Sequence, residues 1–401
     1  MRLKIFIALL GILTLTYAQW VQQHIGTNDL FDLDFPPGNF SIGYACGANS
    51  FLLKTMDGEN WQPLSQVQPS GNFNAINFPI DEMTGYIACD SGNIEVTNDG
   101  GENWQIINTG IQNDLFGIRF RNNELGYAVG ANGAVMKTRD QGHSWEDVSI
   151  RTTANLYDVA VISEERFFVV GDSGTIAYTM DGGASWQMKP SRVTTDLLAI
   201  CFAGEQIGWV VGKQKTCLIT YTNGERWDPQ DVPVPSNTDL YSVIFLDENY
   251  GYVCGTLGRI GKSINGGLAW ETYNLLYPFT RVEFPFNDQI GWVCGQNEVI
   301  YKTTNGGWME EANLSQGAEE KVLTCTPNPF RTKTSIQLSS PLNNQAALKI
   351  YDASGKLVKT LGTTTWDGRN ELNQRVIPGI YLLEYKTTNG IIEHQKLTVL
   401  E

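Results

Sequence analysis

Histidine is scarce in this 401-residue chain: the 3 present, His24, His143 and His394, are too scattered to supply a metal cluster. The 7 cysteines are odd in number and form no Cys-x-x-Cys pair, so neither a fully paired disulfide framework nor a zinc knuckle is encoded. Cys46, Cys254 and Cys294 take the place that Val129, Val170 and Val211 hold in other repeats, and read as small buried apolar residues. Cys201 and Cys217 share one repeat, and the sequence leaves their pairing open. A nucleophile elbow, a phosphate-binding loop and a dinucleotide fingerprint are all missing, so no catalytic residue and no cofactor is assigned. Basic residues are outnumbered, 28 Lys and Arg against 43 Asp and Glu, which argues against nucleic acid or an anionic membrane as partner. No segment reaches the ~18 consecutive apolar residues of a membrane span. The apolar run Ile5 to Leu15 is short, follows Arg2 and Lys4, and leads to Thr16-Tyr17-Ala18. That order predicts a signal peptide over residues 1–18, cleaved before Gln19, and hence an exported chain.

What the chain has in abundance is one repeated motif. Thr97-Asn-Asp-Gly-Gly-Glu-Asn-Trp104 and Thr179-Met-Asp-Gly-Gly-Ala-Ser-Trp186 are its fullest copies. Its Asp or Asn falls at 57, 99, 140, 181, 223, 265 and 305, in steps of 40 to 42 residues. A fixed period of about 40–45 residues with strand-like patterning predicts one four-stranded propeller blade per repeat. The fold class predicted is all-β: a seven-bladed β-propeller over residues 19–309, then a small Ig-like β-sandwich. Within each repeat a strand ending in apolar-x-Phe precedes Gly-aromatic-x-x-Gly, as in Gly126-Tyr-Ala-Val-Gly130 and Gly208-Trp-Val-Val-Gly212. A third strand enters the Asp-Gly-Gly turn, and Trp opens the fourth. The paired glycines allow positive φ in a tight turn. The Asp accepts hydrogen bonds from turn amides. The Trp buries a large area, its indole N–H still able to find a partner. The structural motif residues are Asp57, Trp61, Asp99, Trp104, Asp140, Trp145, Asp181, Trp186, Asn265 and Trp270. One carboxylate per turn falls short of the ~6–8 oxygens that calcium takes, so no metal is assigned.

Two features bear on function. Trp20-Val21-Gln22 followed by Asn28-Asp29-Leu30 has the spacing of a fourth strand leading into a blade, while the seventh repeat ends poorly around Trp308. The N-terminal strand is therefore predicted to latch into blade seven and close the ring. Alternation along the first strands aims Asp32, Ala75, Gly117, Asp158, Ala199, Ser242 and Arg281 at the central channel, followed by Asp34, Asn77, Arg119, Ala160, Cys201, Ile244 and Glu283. Variable loops joining each fourth strand to the next blade are the predicted recognition face. Binding candidates are Asp32, Asp158, Arg119, Tyr277, Phe279, Arg281 and Glu283.

The Thr-x-Asp-Gly-Gly-x-x-Trp pattern resembles the Asp-box, or BNR repeat, of sialidases and related propellers. Sialidases are six-bladed and use an arginine cluster with a Tyr nucleophile. Their Phe-Arg-Ile-Pro is absent here, and Gly258-Arg-Ile-Gly261 sits in a third strand instead. Residues 20–308 are more similar to the Ycf48/Hcf136-like photosystem II assembly factors. That resemblance implies a propeller that binds another protein and catalyses nothing.

After a polar stretch at 310–321, read as a linker, come Thr326-Pro-Asn-Pro-Phe330, Ile350-Tyr-Asp352 with Gly355-Lys356, Pro378-Gly-Ile-Tyr-Leu382 and Gln395-Lys-Leu-Thr-Val399. Residues 322–401 resemble the C-terminal sorting domain of the type IX secretion system. This implies the type IX machinery as a partner and passage through the periplasm to the cell surface or extracellular space. The function expected is non-catalytic: a binding or adhesion module for an unknown protein or glycan. The alternative is a carbohydrate-active hydrolase of the sialidase or xyloglucanase kind, in which two channel carboxylates act on a glycosidic bond.

Overall fold

The computed structural model describes residues 20–64, 71–307, 323–326, 330–338, 347–352, 357–377, 379–386 and 392–399. The expected signal peptide, the linker and Trp308 lie outside the described residues. The chain divides into two compact units, Met1–Glu311 and Ala312–Glu401.

The first unit is a ring of seven antiparallel four-stranded sheets, as the repeat period predicts. In blade 1 the strands are Leu30–Asp34, Gly43–Gly47, Phe51–Thr55 and Trp61–Pro63, ordered from the centre outward. Second strands such as Gly126–Gly130 and Phe167–Gly171 are buried along their whole length, because neighbouring blades cover both faces. Blade 7 takes three strands from its own repeat, Phe279–Glu283, Gly291–Gly295 and Ile300–Thr303. Its fourth is the N-terminal strand Trp20–His24, which pairs with Ile300–Thr303. The predicted latch is thus formed. Glu298 fastens it: one carboxylate oxygen accepts the N–H groups of Thr27 and Asn28 at 3.0 and 2.9 Å, and the other lies 3.1 Å from His24 Nε2.

The two sequence motifs turn out to be partners across every blade seam. The second-strand aromatic of one blade stacks on an aromatic of the next: Tyr44 on Phe78 (3.8 Å between ring centroids), Tyr86 on Phe120 (3.8 Å), Trp209 on Phe245 (3.5 Å) and Tyr252 on Phe284 (3.8 Å). The motif Trp then meets that ring edge-on, as Trp104 does Phe78 and Trp270 does Phe245. At Phe284 the edge-on partner is Trp20, so the latch supplies the missing Trp of the seventh motif. The second-strand polar tips donate to motif carbonyls of the following blade: Tyr44 Oη to Gly100 O (2.9 Å), Trp209 Nε1 to Gly266 O (3.0 Å) and Trp292 Nε1 to Gly58 O (3.1 Å).

Inside the turn, the opening Thr is the hub. Thr179 is buried; its Oγ1 accepts the buried N–H of Gly183 at 3.0 Å and donates to Asp181 Oδ1 at 2.7 Å. Asp181 in turn accepts from Ser185 N at 2.8 Å, on the exposed side of the turn. Thr97, Thr138 and Ser263 repeat this arrangement with Gly101, Gly142 and Gly267. Gly100 and Gly101 have φ of 70° and 85°, the left-handed conformation the motif calls for. One expectation is corrected. The indole N–H groups of Trp61, Trp104 and Trp270 are buried and reach no acceptor among the described residues; Trp145 and Trp186 do find carbonyls, at 3.2 and 2.9 Å.

In the second unit the described strands form two sheets. One contains Leu323–Thr326, Thr334–Leu338 and Thr365–Trp366; the other contains Leu357–Leu361, Ala347–Asp352, Gly379–Lys386 and Ile392–Val399. Both sheets feed one core that includes Ile336, Trp366, Ile350, Leu383 and Leu397. Phe330, the last residue of Pro-Asn-Pro-Phe, is buried in that core and lies edge-on to Trp366 at 5.6 Å.

Candidate functional site: the mouth of the central channel

Every first strand carries a bulge at the same place. Register shifts between Leu30 and Asp32, Leu115 and Gly117, Leu156 and Asp158, and Phe279 and Arg281, and likewise in the other three blades. A bulge sets two residues of one strand opposite one of its partner. The extra residue and its successor both border the channel here. The result is a cavity of about 100 Å³ on the ring axis, lined from all seven blades. Its rim is built by the bulge residues Phe31, Asn74, Phe116, Tyr157, Leu198, Tyr241 and Thr280, all half-buried. Asp32, Asp158, Arg119 and Arg281 lie among the residues that follow.

The charged residues satisfy one another and the backbone. Asp32 accepts Leu33 N at 2.9 Å with one oxygen and Ile76 N, in the next blade, at 3.0 Å with the other. Arg281 Nε lies 3.2 Å from Asp32 Oδ1 without hydrogen-bond alignment, and its Nη2 donates to Glu283 at 3.1 Å. Arg119 approaches Asp32 at 3.7 Å. Asp158 likewise accepts Val159 N at 2.9 Å and Ile200 N at 3.0 Å. Burial raises Asp158, against the pull of Arg119 and Arg281. Asp34 is pushed up to about 8, by burial first and the nearby Glu283 second. Glu283 is itself raised, again chiefly by burial. Burial disfavours the charge on Arg281 as well, but Asp32 and Glu283 outweigh it and hold the guanidinium charged.

Of the candidates, Asp32, Asp158, Arg119 and Arg281 line the cavity together, and Glu283 supports Arg281 from outside the lining. Tyr277 is half-buried against the blade 7 core and does not line the cavity. Phe279 corrects its assignment as a binding residue: it is fully buried, edge-on to Tyr301 at 5.7 Å, because it is the apolar residue on the core side of its bulge. Apart from Tyr241, an aromatic at a strand start on the expected recognition face, the rim residues are not found by alternation, which sends each of them to the opposite face; the bulge that reverses this leaves no mark in the residue types. A second cavity of about 490 Å³ opens where the first strands of blades 3 to 5 end, beside Arg121, Ile162, Phe202 and Glu205, and Arg119 borders both. Among the described residues no helix is long and apolar enough to cross a membrane.

Residues 141–230 and 226–317 match the family described as photosynthesis system II assembly factor YCF48. Residues 325–399 match the secretion system C-terminal sorting domain. No curated protein matches the chain. Among solved structures, YCF48 bound to D1 peptide is 19% identical with a TM-score of 0.61, covering 71% of this chain and 97% of that one. A GH74 xyloglucanase from Xanthomonas campestris is 11% identical, TM-score 0.61, covering 96% and 74%. PorZ, a surface component of the type IX secretion system of Porphyromonas gingivalis, is 13% identical, TM-score 0.55, covering 94% and 60%. At these identities the structures share the fold. Residues 141–317 thus match a YCF48-type repeat model, residues 325–399 match the secretion-system C-terminal sorting domain, and the chain joins a seven-bladed propeller to a sorting domain that marks it for export to the cell surface or extracellular space.

Proposed function

We propose that the exported propeller is a non-catalytic binding module whose ligand, a protein or a glycan, seats at the mouth where the first strands begin. One observation carries this reading: both oxygens of Asp32 and both of Asp158 already accept backbone N–H groups. A nucleophile or general acid needs an oxygen aimed at substrate. Turning either carboxylate away would strand buried amides at about 1–3 kcal/mol each. The cavity of about 100 Å³ is also well below the ~300 Å³ at which pockets begin to enclose a small ligand. A surface contact with part of a larger partner suits it better. That YCF48 takes a peptide on the same fold is consistent with this use. The test is a glycan array and a peptide array probed with the chain and with Phe116→Ala. The reading expects at least one bound class, lost in the variant at unchanged melting temperature. Sugar release from a polysaccharide, abolished by Asp32→Asn, would overturn it in favour of a hydrolase.

A further inference from the structure

The chemistry of the mouth says more about the ligand, on the premise that the mouth is where binding occurs. Its lining pairs two carboxylates, Asp32 and Asp158, with two guanidinium groups, Arg119 and Arg281, and Glu283 engages Arg281 just outside it, so charges of both signs meet there. An incoming ammonium would meet the arginines, and an incoming carboxylate the aspartates. A neutral group that both donates and accepts hydrogen bonds offends neither. Above this floor the rim presents the half-buried rings of Phe31, Phe116, Tyr157 and Tyr241. Phe116 and Tyr157 sit side by side, ring centroids 5.7 Å apart and tilted by 33°. Tyr157 is held in place by its Oη, which donates to Asp172 Oδ1 at 2.7 Å. Rigid aromatic faces over a balanced polar floor fit a molecule with apolar C–H faces and hydroxyl edges.

We infer that the channel mouth binds the terminal residue of a neutral glycan, with a sugar face against Phe116 and Tyr157 and its hydroxyls toward the guanidinium groups of Arg119 and Arg281. At about 100 Å³ the cavity suits a small end group better than the length of a chain. The rim is made of single side chains from separate blades. Each can therefore be removed without unpairing a strand.

The probes are the methyl glycosides of glucose, galactose and mannose, with methyl glucuronide and methyl glucosaminide as anionic and cationic counterparts. Saturation-transfer NMR on the full chain reads binding. The expected result is transfer to at least one neutral glycoside, with both charged counterparts weaker. Phe116→Ala or Tyr241→Ala should each weaken that glycoside about tenfold, the size of one lost aromatic contact, with melting unchanged. Absence of transfer to every neutral glycoside, preference for a charged one, or transfer indifferent to both variants would overturn the inference. A peptide bound in a Phe116-dependent way would sink the glycan while leaving the binding module standing. Release of sugar by the chain would sink the binding module itself.

Discussion

The two faces of the propeller treat the same seven-fold template differently. On one face lie the Asp-Gly-Gly turns, where most blades repeat Thr or Ser, Asp or Asn, and a positive-φ Gly with the same hydrogen bonds, and where blade 5 sets Thr222 rather than Asn223 in the Asp position. On the other lies the channel mouth, where equivalent positions hold Phe31, Asn74, Phe116, Tyr157, Leu198, Tyr241 and Thr280. The turns are uniform because each solves the same packing problem at its seam. The mouth is free to vary because its residues face the channel. Repetition here marks what folds the ring, and departure from repetition marks where it meets something else.

If that contrast holds, damage to the repeated parts should appear as lost stability. The largest effect is expected at the latch. Deleting residues 20–24 exposes the edge of Ile300–Thr303 and removes the Trp that packs on Phe284. Losing a buried Trp and a strand edge should lower the melting temperature by roughly 10 °C or more. An unchanged thermal melt would mean that the ring closes without the latch.

Next comes the turn hub. Thr179→Val leaves the buried N–H of Gly183 without its acceptor, at a cost of about 1–3 kcal/mol. Asp181→Ala should cost less, because its amide partner lies on the exposed side of the turn. Chemical denaturation of the two variants gives the ranking; the reverse order would return the structural role to the carboxylate.

Another effect is tied to pH. Asp34 has a folded value of about 8, against about 3.9 for a free Asp. Between these values the folded chain holds a proton that the unfolded chain lacks. Stability should therefore fall as pH rises from about 4 to about 8. Asp34→Asn keeps an acceptor for Phe78 N and should flatten that slope in melts at pH 5 and pH 8. A slope identical to that of the wild type would place the titration elsewhere.

The smallest concerns one irregular seam. Six turns after the second strand carry a polar residue of positive φ whose N–H is accepted by an Asn or Asp side chain of the next blade, as Ser91 N is by Asp114 at 2.8 Å and Asn297 N by Asp29 at 3.1 Å. In the remaining one Leu257 has φ of 58°, and the acceptor's place is taken by Pro278. Asn tolerates this conformation better than Leu. Leu257→Asn should raise the melting temperature by about 1–2 °C; a fall would show that Leu257 is retained for a packing contact.

The ring itself was legible because a fixed period, glycine pairs and Trp spacing all report local geometry. The latch was legible because Trp20 sits at fourth-strand spacing before Leu30. The partnership between Tyr44 and Gly100 was not, since residues 56 apart in sequence meet only when blades stack. At the candidate site, Asp32, Arg119, Asp158 and Arg281 could be placed by alternation. The aromatic rim apart from Tyr241 could not, because one bulge per first strand reverses the face of every residue before it.

The most direct test of the central claim asks whether the mouth holds a ligand without changing it. The full chain is incubated with neutral polysaccharides, and reducing ends and retained glycan are measured together. The account predicts glycan retained in a Phe116-dependent manner, with reducing ends no higher than in the protein-free blank. Reducing ends that accumulate with time, and vanish in Asp32→Asn, would contradict it.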